Sequence, residues 1–96
     1  MTTPWGQSDH QKKYAEGVIF YSTPGHGGFK LSPERNEKIP PKLRNSDGWY
    51  EEDCEASIVI TAFPEMFTEK DHEYAAKSLK HWYGQAAVLA FKMRQK

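Results

Sequence analysis

Apolar and polar positions change period several times along the 96 residues. Val18-Ile19-Phe20-Tyr21-Ser22-Thr23 is a β-branched and aromatic run, which suits a strand because branched and ring side chains pack well on a pleated surface. Gln11-Lys12-Lys13-Tyr14 precedes it across a Glu16-Gly17 turn. Phe29-Lys30-Leu31-Ser32 follows it beyond the breaker cluster Pro24-Gly25-His26-Gly27-Gly28 and alternates apolar with polar at period two. The pattern predicts a three-stranded antiparallel β-meander with Phe29 and Leu31 on one face and the central strand covered on both.

The period then lengthens. Ser32-Pro33-Glu34-Arg35 carries a helix start, with Ser as N-cap, Pro at the first helical position and an acid in the first turn. Pro40-Pro41 must end that helix quickly, and Lys42-Leu43-Arg44 adds one further turn. From Trp49 to Phe63 two readings compete. Ser57 to Thr61 is strand-like by propensity, whereas Tyr50, Cys54, Ile58 and Ala62 recur every four residues and Glu51-Glu52-Asp53 suits a helix start. We take the segment as helix, because its front half is too acidic for a buried strand. Thr68-Glu69-Lys70-Asp71 approximates a capping box, followed by a stripe of Tyr74, Ala75, Leu79, Trp82 and Tyr83. Gly84 suits a left-handed cap, after which Ala86 to Phe91 forms a final helix or continues the last one. The expected architecture is α+β: a meander packed against two or three helices in one domain over 10–96, preceded by an irregular arm over 1–9 that Trp5 anchors.

Composition is that of an ordinary soluble domain, 38% hydrophobic and 27% charged, but three Trp, five Tyr and five Phe supply large buriable areas. So short a chain buries only about 60–65% of its unfolded surface, which favours a shallow surface function over a deep enclosed site. No apolar run approaches the roughly 18 residues of a membrane span, and the first residues lack a basic-then-apolar signal, so a cytoplasmic protein is expected. The single cysteine, Cys54, excludes an internal disulfide and any cysteine-pair zinc site.

Thirteen basic and thirteen acidic residues cancel, which argues against direct nucleic-acid binding. They are unevenly spread, however: residues 51–73 hold eight acids and one lysine. Acids near helix starts and bases near helix ends account for part of this through the macrodipole. The other account is an acidic face that steers the chain onto a basic partner.

Each candidate chemistry has a structural rival. The glycines around His26 suit an anion-binding loop with a titrating base, and equally a hairpin turn; neither glycine-rich nucleotide motif is present. On a helix Glu51 and Glu55 would share a face while Glu52 and Asp53 point elsewhere, so no ready pair of chelating carboxylates results. His72 and His81, nine apart on one helix, cannot share a metal. Cys54 reads as a small core residue. Arg35 is suited to clamp Asp53 or Glu52, or a ligand phosphate.

Thr3-Pro4-Trp5-Gly6, Tyr14 to Thr23, His26 to Ser32, Arg35-Asn36 and Trp49-Tyr50-Glu51-Glu52-Asp53-Cys54-Glu55 together resemble a domain of unknown function found in plasmid- and phage-associated proteobacterial proteins. The likeness spans about Thr3 to Tyr83; after it, Gly84-Gln85-Ala86-Ala87 stands where a Pro-Asp-Ala type sequence is expected, as in a shortened, free-standing version. The resemblance implies no established activity, only the company of mobile elements, whose small proteins often counter host restriction or CRISPR systems.

Two functions follow as expectations. The first is a small non-enzymatic phage or plasmid protein, an inhibitor of anti-CRISPR or antirestriction type. It docks on a basic host complex through Trp49, Tyr50, Glu51, Glu52, Asp53, Glu55, Glu69 and Glu73, with Trp82 as a further aromatic anchor, and needs no cofactor or metal. The alternative is a small enzyme or ligand-binding domain in which His26, Arg35 and Asp53 meet in one pocket.

Overall fold

The computed structural model describes residues 2–94, with side chains as far as Phe91. The architecture is α+β. The first nine residues, expected to be irregular, contain a two-rung hairpin in which β1 (Thr2–Thr3) pairs with β2 (Gly6–Gln7). Its turn is closed by Thr3, whose hydroxyl donates to the Gly6 carbonyl at 2.8 Å and accepts from the Trp5 N–H at 3.1 Å.

The main sheet has four antiparallel strands in the order β3 (His10–Ala15), β4 (Val18–Ser22), β5 (Gly27–Leu31) and β6 (Trp49–Glu51). The predicted three-stranded meander is therefore corrected to a four-stranded sheet, whose first three strands overlap the predicted segments. Gly17 turns β3 into β4 with φ +84°, a conformation that side-chain-bearing residues rarely adopt. The fourth strand corrects the sequence reading, since Trp49–Glu51 is not the start of a helix. An acidic segment is unfit for a strand buried on both sides, but β6 is a three-residue edge strand. It pairs with β5 alone, turns only Tyr50 into the core and leaves Glu51 at the rim. The helix begins later, as α2 (Ala56–Ala62), after a turn over residues 52–55.

Between β5 and β6 lie α1 (Pro33–Asn36) and an irregular loop. The Ser32 hydroxyl caps α1 by accepting the Arg35 N–H at 3.2 Å, with Pro33 next in line, as the sequence predicts. The loop folds around a buried phenol. Tyr50 is wholly inaccessible, its hydroxyl donates to Asn36 Oδ1, and it accepts the Asn45 N–H at 3.0 Å. Asn36 Nδ2 reaches the Asn45 carbonyl at 2.8 Å, and Asn45 Nδ2 donates to the Trp49 carbonyl and to Glu55 Oε2, both at 2.8 Å. Arg44 fastens the same loop by donating to the carbonyls of Glu37 and Ile39.

α2 packs on one face of the sheet and α3 (Glu69–Arg94) packs on α2, and the core joins Val18, Phe29, Leu31 and Tyr50 to Ile58, Val59, Phe63, Leu79, Ala87 and Phe91. A reciprocal capping box opens α3: the Asp71 N–H donates to Thr68 Oγ1 and the Thr68 N–H to Asp71 Oδ2. Gly84, with φ +80° and ψ −179°, breaks the α3 ladder, so the segment beyond it leans back and buries Ala87 and Phe91. The predicted stripe of α3 is thereby corrected. Ala75, Ser78 and Leu79 face inward, while Tyr74 and Trp82 are 46% and 61% exposed. A helix lying on a single neighbour buries a narrower strip than a helix sunk among several.

The second sheet face is covered in part by the β1–β2 hairpin. A Cβ on Gly28 would overlap the Trp5 ring and the Tyr50 carbonyl, so the absent side chain is what admits the indole. No helix among the described residues is long and apolar enough to cross a membrane.

Two outcomes are expected. Tyr50→Phe strands Asn36 Oδ1 and the Asn45 N–H without their phenol partner and should lower stability by about 1–3 kcal/mol, read by urea denaturation. Burial raises the Tyr50 phenol above its usual 10.0, and burial first, then Cys54 and neighbouring carboxylates, raises Tyr83 as well. A raised folded-state value leaves stability level below the unfolded value and erodes it at higher pH. These two phenols should therefore leave stability unchanged well below pH 10 and lower it above about pH 10, with part of the tyrosinate absorbance appearing only on unfolding.

Candidate functional site

The end of the sheet where β4 turns into β5 collects the chemistry. Thr23, almost fully buried, pins His26 at both backbone groups: its hydroxyl accepts the His26 N–H at 3.0 Å and donates to the His26 carbonyl at 2.6 Å. The Thr23 N–H adds a further bond to that carbonyl at 2.7 Å. Register then places Gly28 opposite Glu51, and the Glu52 N–H donates to the Gly27 carbonyl at 2.9 Å. The acidic turn is thereby laid beside the histidine loop.

Within the turn the two oxygens of Glu51 have separate work. Oε1 accepts the N–H groups of Asp53 at 3.1 Å and Cys54 at 3.4 Å, while Oε2 lies 3.9 Å from His26 Nδ1. One ligating atom from each of His26, Glu51 and Asp53 falls within 4.8 Å of the others. Asp53 is itself tied to the third helix, because the Tyr74 hydroxyl donates to its carbonyl at 2.6 Å. That bond sets Tyr74, which is exposed on α3, against the acidic turn.

The expected docking residues divide sharply. Glu52, Asp53, Glu69 and Glu73 reach solvent in full or in part. Tyr50 does not, since it is a core residue and no partner can touch it. Glu55 also serves the fold, with Oε1 accepting the Glu51 N–H at 3.0 Å and Oε2 accepting from Asn45. Trp49 is half-buried among Trp5, Tyr21 and Lys30, with ring centroids 5.6 and 5.5 Å from the two aromatics and Lys30 Nζ 5.3 Å above it. Cys54 is half-buried, with Sγ 3.8 Å from Glu51 Oε1.

Arg35 does not join His26. Its Nε donates to the Glu16 carbonyl at 3.0 Å and its guanidinium stacks over Phe63 at 5.1 Å, beside Gly17. The length of β4, five residues or about 16 Å, separates that end of the sheet from the Thr23–His26 turn. The expected grouping of His26, Arg35 and Asp53 is thus replaced by His26, Glu51 and Asp53. Sequence reasoning named all three residues but could not join position 26 to 51, because no local spacing records the β5–β6 pairing.

Electrostatically the acidic turn is uncompensated. Among the described residues no lysine or arginine lies within ion-pair distance of Glu51, Glu52, Asp53, Glu69 or Glu73; the two pairs present are Lys13–Glu16 at 2.7 Å and His26–Glu51. Two further depressions are present, the first of them sharing Glu51 with the site. A polar cleft is lined by Trp5, Arg44, Asn45, Asp47, Trp49 and Glu55, and an apolar groove between α2 and α3 by Ile60, Ala76, Leu79, Val88 and Phe91.

A family model described as a domain of unknown function (DUF7007) matches residues 1–94. No curated protein matches the chain, and no solved structure does.

Gly28→Ala should displace Trp5 from its seat beside Trp49. The expected result is a red-shifted tryptophan emission and a stability loss of about 1–3 kcal/mol, measured by fluorescence during denaturation.

Proposed function

The chain belongs to that family of unknown function, and we propose from its own geometry that it is a non-enzymatic docking module whose acidic end seats on a basic protein surface. The observation that carries this reading is the uncompensated charge: the four carboxylates of Glu52, Asp53, Glu69 and Glu73 face no lysine or arginine within ion-pair distance among the described residues. Carboxylates that stabilised the fold would be paired or hydrogen-bonded inward, as Glu55 is. Left unpaired, they raise a negative field that attracts a basic partner and quickens encounter.

Beside that field stand Tyr74 and Trp82, large aromatics left exposed on α3 with Lys77 and His81 between them. An exposed tryptophan next to a charged patch is the usual composition of a binding hot spot. Nucleic-acid-handling complexes are a natural class of partner, because the grooves in which they hold phosphates are basic. A host restriction or CRISPR complex is the first such partner to test, given the mobile-element company that the sequence resemblance implies.

The test is an interference assay in cells whose restriction or CRISPR system blocks a phage. Expression of the wild-type chain should restore plating. The combined reversal Glu52→Lys, Glu69→Lys and Glu73→Lys spares the inward-facing Glu55 and should abolish that effect, as should Trp82→Ala. With the purified partner, the reversal should weaken binding at least about tenfold, and added salt should weaken wild-type binding more than variant binding. Binding that is indifferent to both the reversal and ionic strength would sink the reading.

A further inference from the structure

We infer that His26, Glu51 and Asp53 bind one divalent transition-metal ion at the β4–β5 end of the sheet. Their ligating atoms lie within 4.8 Å of one another although the residues come from two separate stretches of chain. A tetrahedral ion with bonds of about 2.0–2.1 Å sets its donors roughly 3.3 Å apart, so the cluster must contract by about 1.5 Å at most. His26 and Asp53 have the freedom to do so, because both side chains are exposed.

The backbones beneath them are held. Thr23 bonds to both backbone groups of His26, Glu51 sits in register with Gly28 and donates its N–H to Glu55, and Tyr74 bonds to the Asp53 carbonyl. The fixed backbones keep the three residues at one place, so that what binding must order is confined to the side chains of His26 and Asp53. Glu51 is further prepared: its Oε1 is occupied by the Asp53 and Cys54 N–H groups, which leaves Oε2 facing the imidazole.

The donor set selects the ion. One imidazole nitrogen and two carboxylates suit zinc, cobalt or manganese, whereas calcium and magnesium take oxygen alone. Three protein ligands leave a fourth position open to water or to a donor group from a bound partner. The inference does not rest on the docking reading, since the reversal at Glu52, Glu69 and Glu73 leaves all three ligands in place.

The experiment is titration of the tag-free full chain with Zn²⁺ and Mg²⁺ by calorimetry, with Co²⁺ absorption and Mn²⁺ broadening of amide resonances as structural readouts. One equivalent of Zn²⁺ should bind, Mg²⁺ should not compete, and Mn²⁺ should broaden residues 26 and 51–53 first. His26→Ala and Asp53→Asn should each weaken Zn²⁺ at least about tenfold, because loss of an outer-shell partner alone typically costs that much. His72→Ala and His81→Ala should change nothing, and circular dichroism should show every variant folded. Absence of stoichiometric Zn²⁺ binding by the wild type, or affinity that survives both His26→Ala and Asp53→Asn, would overturn the inference. So would affinity that is lost on changing His81.

Discussion

The hydroxyl of Tyr50 is the point on which this fold turns. A phenol enclosed in an apolar core is tolerated only if its polar end is satisfied, and here Asn36 and Asn45 satisfy it from a loop that has no regular structure of its own. The same bonds therefore serve two ends. They allow a large ring to fill the space between the sheet and α2, and they hold the segment from the end of α1 to β6 against the body of the protein. Asn45 carries the constraint onward through its side-chain amide to Trp49 and Glu55, and Glu55 passes it to the Glu51 N–H.

The surface chemistry follows from that interior. Because β6 is held by Tyr50, its register on β5 is set, and the register alone decides that Glu51 meets Gly28 and that the acidic turn lies beside His26. On the opposite face of the same strands Gly28 gives up a side chain so that Trp5 can lie against it, which recruits the amino-terminal hairpin as a cover. The histidine loop, the acidic turn and the Tyr74 contact meet at one open end of the sheet.

Charge at that end is deployed rather than neutralised. Glu55 turns inward and is consumed by hydrogen bonds, while Glu52, Asp53, Glu69 and Glu73 stay at the surface with no lysine or arginine within ion-pair distance among the described residues. Glu69 lies in the first turn of α3, where a negative charge suits the helix macrodipole. The two proposals made for this end concern different residues, Glu52 and the α3 acids for docking and His26, Glu51 and Asp53 for an ion.

Periodicity and breakers in the amino-acid sequence were enough to determine the α+β class, the first three strands and their turns, the Ser32 cap of α1 and the Thr68–Asp71 box of α3. Each of these is decided by residues within a few positions of one another, where backbone sterics and local hydrogen bonds dominate. The acidic run and the candidate residues His26, Glu51 and Asp53 were legible as well, though only as separate names. Tertiary structure alone decided that Trp49–Glu51 is an edge strand, that Tyr50 and Glu55 face inward while Tyr74 and Trp82 face out, and that Arg35 is kept from the histidine. These outcomes depend on which side chain fills the core and which strand pairs with which, and those are contests between residues far apart in the chain that no local pattern records.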